Sequence, residues 1–375
     1  MGGVGYGIRD GLQMNLLNPA SYSAVDSLTL LFEGGITLQN TNFSDGTNKI
    51  NAKNSSFDYV AMQLRLHRKL GMTLGLVPFS HVGYTMKSLN NETGIEPNVT
   101  SYSGDGGLSQ IFLGLGFKVL PNLSIGANAN YIWGDINRNT QLAFPYNPDL
   151  YFGYKEVNSL SVSDVKFDFG LQYSHKFTKK HAATFGAVFT PAKKLSNNAN
   201  LSTYNITGGT PYQVSSKDTV AVFGNPVTFG AGVAYIFDNR LTVAVDYTLE
   251  KWSKVKYMDD PDAFNDRQKI AMGVEFLPSY TSRSYFSHIK YRLGAYYSKP
   301  YYKIKLNDTG SYGSAKEYGI SAGIALPTVR RSIINLNVQY VRVDGVGANM
   351  LDENYLRIGI GLTFNERAFF KRKVD

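Results

Sequence analysis

The sequence predicts an all-β fold, a transmembrane antiparallel β-barrel of about fourteen strands with an N-terminal plug in its lumen. Three observations lead there. Apolar and small or polar residues alternate with a period of two along most of the chain. Connections between the alternating segments are short and long in turn. No stretch approaches the roughly 18 apolar residues that a helical span requires. The 375 residues include 26 Tyr, 22 Phe and 37 Gly but only 18% charged residues, and composition does not shift from end to end, so one continuous architecture is expected.

Residues 1–27, MGGVGYGIRDGLQMNLLNPASYSAVDS, do not alternate, and they carry Gly, Asn, Pro and Asp where a helix would break. The segment is too apolar for a free tail, so it is expected to fold into the barrel as a hatch. Strands are predicted near 28–39, 57–69, 71–86, 108–120, 122–135, 159–176, 180–192, 219–237, 240–254, 265–277, 288–303, 313–326, 330–344 and 352–366. The last is the cleanest. Leu356, Ile358, Ile360, Leu362 and Phe364 form one face, and Tyr355, Arg357, Gly359, Gly361 and Thr363 the other. Segments 123–133, 165–173, 241–249 and 334–340 repeat the pattern. Large apolar residues on one face with Gly, Ser, Thr and Asn on the other suit a wall with lipid outside and a polar lumen inside.

Short turns are expected at 69–71, 120–122, 178–180, 238–240, 277–286 and 327–329, and longer loops around 40–56, 87–107, 136–158, 193–218, 255–264, 304–312 and 345–351. In bacterial barrels short turns face the periplasm and long loops the outside. The domain reading is therefore a hatch over 1–27, a barrel over 28–366 and a short basic tail over 367–375.

Cysteine is absent, which removes disulfides and thiolate metal sites. The glycine-rich start is unlike a signal peptide, whose removal is expected. A net charge of +9 raises the question of nucleic acid. Its distribution argues against such a partner: the basic residues lie in short turns (Arg68-Lys69, Lys179-Lys180, Arg330-Arg331) and in the tail Lys371-Arg372-Lys373. His67, His175, His181 and His288 sit beside short turns and His81 stands alone in a strand, so no metal-ligating or catalytic spacing arises. Asp259, Asp260, Asp262 and Asp266 lack the glycine and ligand spacing of a calcium loop and read as a solvated acidic stretch. No enzyme activity, cofactor or metal is expected.

Asn18-Pro19-Ala20-Ser21, followed by Ala24-Val25-Asp26-Ser27, resembles the hatch motif of the FadL-like outer-membrane transporters of hydrophobic compounds. Ser21 stands where family members often have Gly. The C-terminal Gly361-Leu362-Thr363-Phe364-Asn365-Glu366-Arg367 and Phe369-Phe370-Lys371-Arg372-Lys373 are similar to FadL-like barrels of Bacteroidetes type. The resemblance implies a fourteen-stranded barrel in the outer membrane whose hatch shifts to release a fatty-acid-like ligand. Pro19 fixes φ and restricts Asn18 to extended conformations, which makes a rigid bend there.

Lumen-facing ionisable groups are expected at Glu33, Arg65, Lys166, Asp168, Asp246, Glu250, Lys269, Glu275, Lys290, Arg292 and Arg357. They either pair across the lumen or, at Arg65, Arg292 and Arg357, grip a ligand carboxylate. Phe112 and Tyr296 are candidates to line an apolar pocket. The expected partners are outer-membrane lipid and a hydrophobic small molecule. A competing class is a barrel subunit that scaffolds a protein complex for secretion or barrel assembly. An open porin fits the obstructing N-terminal segment less well.

Overall fold

Alternation of this kind places successive side chains on opposite faces of a strand, and closing the sheet turns those faces into an inside and an outside. The computed structural model describes residues 1–44, 49–91, 94–147, 150–208, 210–219, 224–255, 264–305, 312–328, 331–345 and 352–367. The acidic run at 259–262, Arg330 and the basic tail at 371–373 lie outside them.

Fourteen strands close the barrel: β1 (Thr29–Ser44), β2 (Lys49–His67), β3 (Leu70–Asn90), β4 (Asn98–Leu120), β5 (Leu123–Ala143), β6 (Gly153–Lys176), β7 (His181–Thr190), β8 (Thr228–Phe237), β9 (Leu241–Glu250), β10 (Arg267–Phe276), β11 (Lys290–Lys299), β12 (Lys316–Pro327), β13 (Ile333–Asp344) and β14 (Asp352–Arg367). Each pairs antiparallel with the next, and β1 closes on β14 from Thr29↔Arg367 to Ser44↔Asp352.

The faces fall as the alternation requires. Leu362 and Phe364 are 50% and 44% exposed, whereas Thr363 between them is fully buried. Similar exposed rows of Phe, Tyr, Leu, Ile and Val circle the barrel. An apolar surface of that extent is covered by lipid, not water. No described helix is long and apolar enough to cross a membrane; the helical pieces are short 3-10 turns.

β1 to β6 run further outward than their alternation indicates. β1 reaches Ser44, β2 starts at Lys49, β3 reaches Asn90, β4 starts at Asn98, β5 reaches Ala143 and β6 starts at Gly153. Beyond the lipid both faces are wet and the pattern fades, while the backbone ladder continues. Much of the stretches 40–56, 87–107 and 136–158, expected as loops, is therefore strand. Loop 193–218 likewise holds a hairpin, Asn197–Thr207 with Thr210–Thr219, whose first strand pairs with the outer part of β6. On the opposite side β7 to β11 are ten residues each, close to one membrane crossing.

Candidate functional site

Residues 1–27 bond to the inward-facing side chains of the wall. Pro19–Ala24 forms a 3-10 turn that starts on Pro19, while the Asn18 side chain accepts from the Ala20 N–H at 3.0 Å. Asn18 Nδ2 also donates to the Tyr6 carbonyl (2.9 Å) and the Leu171 carbonyl of β6 (3.1 Å). Asn18, Pro19, Ala20 and Ser21 are all buried. From the wall, Gln172 donates to the Tyr6 and Ile8 carbonyls, and Asp246 Oδ2 accepts from the Gly5 and Tyr6 N–H groups at 2.6 and 2.9 Å. Glu33 accepts from the Met14 N–H at 3.1 Å.

The wall makes room for this segment with glycine. A Cβ at Gly71 would strike the Tyr22 carbonyl, at Gly116 and Gly126 the Pro19 backbone, at Gly170 the Asn18 side chain and at Gly186 the Tyr6 carbonyl. At Gly71, Gly116, Gly126 and Gly186 backbone lies directly on backbone, which only glycine permits.

Outward of this packed region is a cavity of about 510 Å³ with an aromatic wall of Phe79, Trp252, Phe264 and Tyr301, joined by Ile136 and Leu160, with Arg267, Glu250 and Lys166 among its polar members. Trp252 stacks on Tyr301 at 4.5 Å and meets Phe264 edge-on at 5.5 Å. Its indole N–H donates to Glu250 at 2.6 Å, which leaves the ring faces to the cavity wall.

Beside this cavity the β-ladder is interrupted. β6 pairs with β7 from Lys176↔Ala182 to Phe169↔Phe189, and resumes only at Val162↔Asn197 with the hairpin. Backbone groups left unpaired at membrane depth are costly, and side chains satisfy several of them here. Lys193 bonds Asp164 (2.6 Å) and the Val165 carbonyl, and Asp164 also accepts from the Ser196 N–H at 2.9 Å. Asp168 takes Thr190 Oγ1 at 2.6 Å, Asn130 Nδ2 at 2.9 Å and Lys166 at 3.3 Å. Lys166 and Thr190 line the aromatic cavity, so this polar cluster is its side wall. On the lipid side, Phe169, Phe189, Phe229, Leu171 and Tyr247 edge an apolar groove of about 930 Å³, with Ala127, Ala187 and Ala231 also lining it.

The five residues proposed to bind ligand do not converge. Tyr296, Arg292 and Arg357 line one cavity of about 430 Å³ in the middle of the lumen. Each is engaged: Arg292 with Glu275 (2.7 Å), Asn335 and Gln13 (2.8 Å each), Arg357 with Gln39 (2.7 Å), and the Tyr296 hydroxyl with Glu317 (2.5 Å). Phe112 is buried on another strand, its ring in the space that a Cβ at Gly75 would occupy. Arg65 turns to the β2–β3 turn and donates to the His67 and Arg68 carbonyls. The cavity aromatics Phe79, Trp252, Phe264 and Tyr301 were missed by sequence reasoning. A usable signal existed: Trp252 is one of only two tryptophans and sits at the outer end of a strand.

A family model described as BamG matches residues 1–375. No curated protein matches the chain. Among solved structures it is similar to the CymD monoaromatic hydrocarbon channel (14% identity, 98% of this chain and 96% of that one, TM-score 0.64). It is also similar to the Ralstonia pickettii toluene transporter TbuX (15%, 94% and 92%, 0.62) and to a Pseudomonas aeruginosa FadL homologue (13%, 93% and 91%, 0.53). At such identities the likeness is one of fold, and it agrees with the FadL-like resemblance of the sequence.

Proposed function

The chain belongs to the BamG family, and we propose that it is an outer-membrane barrel which takes up apolar or amphiphilic small molecules. Residues 1–27 act as the plug, and the ligand binds outward of it. One observation carries this reading: an aromatic-walled cavity adjoins an interruption of the β-ladder whose other side meets an apolar groove open to lipid. A ligand in that cavity reaches the bilayer by parting the Lys166–Asp168–Thr190 cluster, without crossing the packed segment. Flat rings suit a wall of Trp252, Phe264 and Tyr301, and two of the similar structures are a monoaromatic hydrocarbon channel and a toluene transporter. Extended acyl chains of fatty-acid type are the amphiphilic alternative.

The absence of cysteine gives a clean test. Asp168 and Thr190 face each other across the interruption, so Asp168→Cys with Thr190→Cys should form a disulfide that locks it. Uptake of a labelled monoaromatic hydrocarbon or fatty acid by outer-membrane vesicles should fall several-fold on oxidation and return with reductant. Unchanged uptake in the locked protein would overturn the lateral route.

A second reading, a scaffold barrel in a multiprotein complex for secretion or barrel assembly, is favoured by the firm seating of residues 1–27 on wall glycines. A scaffold needs no conducting lumen. Mass spectrometry after gentle extraction decides between them: a stoichiometric protein partner supports the scaffold, and a monomer carrying an apolar ligand supports uptake.

A further inference from the structure

The N-terminal segment packs closely on glycines of β3 to β7, and three cavities are strung past it from the outer to the inner end of the lumen. The outermost is the aromatic cavity of about 510 Å³ already described. Next comes the central chamber of about 430 Å³ lined by Tyr296 and Arg357. The innermost, also about 430 Å³, reaches Asn239 at the short β8–β9 turn. Arg267 lines both the outer and the central cavity, and Arg292 both the central and the inner one, so the file runs from the long-loop end to the short-turn end.

Its charge is one-sided. The central chamber is lined by Arg267, Lys269, Arg292 and Arg357 against the single carboxylate of Glu317. Two of these cations are compensated from neighbouring positions, Arg267 by Glu250 at 2.8 Å and Arg292 by Glu275 at 2.7 Å. The other two rest on aromatic rings, Lys269 over Tyr296 at 4.5 Å and Arg357 over Tyr355 at 4.6 Å. Among the described residues neither has a carboxylate within ion-pair distance. Glu317 is itself drawn to the Tyr296 hydroxyl. Cations also outnumber carboxylates in the inner cavity, Arg9, Lys290 and Arg292 against Asp10 and Glu275, whereas in the outer one Lys166 and Arg267 are matched by Asp168 and Glu250. A confined polar space with uncompensated positive charge concentrates anions and repels cations.

We propose that this file of chambers is a second, hydrophilic route through the protein, selective for compact anions such as chloride or short carboxylates, with Lys269 and Arg357 as its selectivity residues. The Arg292–Glu275 pair is the partition between the central and inner chambers, and an anion passes when the guanidinium swings aside. The N-terminal segment stays where it is. This route shares the outer cavity with uptake through the interrupted wall but diverges there: it serves hydrophilic solutes and continues inward through the central chamber instead of leaving through the wall.

Single-channel recording of the purified full chain in planar bilayers, under a tenfold potassium chloride gradient, tests it. The expected result is a small conductance whose reversal potential has the sign of chloride selectivity. Lys269→Glu with Arg357→Glu should move that potential to the potassium side. Lys269→Met with Arg357→Gln, which introduces no acid and alters packing little, should bring it towards zero. Arg292→Ala should raise the conductance several-fold. Absence of current above the bare bilayer in the unaltered protein, cation selectivity in it, or a reversal potential indifferent to both double substitutions would overturn the proposal. Heat-modifiable migration in detergent gels confirms that each variant tested is a folded barrel.

Discussion

The two sides of the lumen treat the same 27 residues differently. From β3 to β7 the segment lies on wall glycines, backbone against backbone at Gly71, Gly116, Gly126 and Gly186 and through the Asn18 and Pro19 side chains at Gly170. From β9 to β13 Met1 and Gly2 rest on Gly273 and Gly294, and the rest of that wall presents Lys269, Arg267, Arg292 and Arg357 around open chambers. The contrast teaches where movement is cheap. Shifting the segment off its glycine seat breaks close packing and the hydrogen bonds of Asn18, Gln172 and Asp246 together. Swinging an arginine in a polar chamber disturbs only its own contacts. A rigid seat facing a compliant wall leads us to place solute passage beside the segment rather than through its displacement.

Filling the seat should break the comparison outright. Gly126→Leu puts a side chain into the Pro19 backbone, so either β5 bends or residues 18–22 leave the wall. Overpacking alone costs about 1–3 kcal/mol where neighbours adapt, and more where the obstacle is backbone. We expect the segment to become a protease target and the barrel to unfold at lower temperature in heat-modifiability assays. Gly361→Ala on β14 is the contrasting case: its nearest neighbour would be Asn335 Cβ at 3.5 Å, ordinary contact, and no change is expected. Equal effects at the two glycines would mean that the seat is not special.

Removing a tether is the milder test. Asp246→Ala leaves the Gly5 and Tyr6 N–H groups without their acceptor in a buried setting. An unsatisfied buried donor costs roughly 1–3 kcal/mol. The variant should keep its barrel, with a heat-modifiability midpoint lowered less than in Gly126→Leu and faster cleavage near residues 5–8. Unchanged protection would show that glycine packing holds the segment without the carboxylate.

What was legible in the sequence follows the same divide. Leu356 to Phe364 and their counterparts announced a wall because lipid imposes an apolar face every second residue, and fourteen strands followed from counting such stretches. The outer extensions of β1 to β6 were hidden because water on both faces imposes no alternation. Gly126 and Gly186 were visible as glycines, but nothing local separates a glycine pressed by a distant chain segment from one that relieves crowding within the sheet. The interruption between β6 and β7 was equally hidden. Asp164 and Lys193 meet only because the ladder fails, and ladder pairing is a property of two strands. Arg292 and Arg357 could be assigned to the lumen from parity alone, whereas Arg65 needed its partners to be seen.

Arg65 supplies the smallest predicted effect and the sharpest check on reading function from parity. It shares the inner-facing phase of β2, so alternation alone offers it as a carboxylate-binding residue. Its guanidinium instead folds over the short turn, Nη2 to the Arg68 carbonyl at 2.7 Å and Nε to the His67 carbonyl at 3.3 Å, remote from both the aromatic cavity and the cationic chambers. Exposed side-chain bonds to a turn contribute little, within about 0.5 kcal/mol. Arg65→Ala should therefore leave ligand uptake, reversal potential and thermal stability where they are, whereas Arg357→Gln, two bonds of reasoning away on the same alternation argument, should move the reversal potential. If Arg65→Ala impaired uptake or selectivity, the solute path would have to extend to the β2–β3 turn, on the seated side of the lumen, and the division drawn between the two sides would fail.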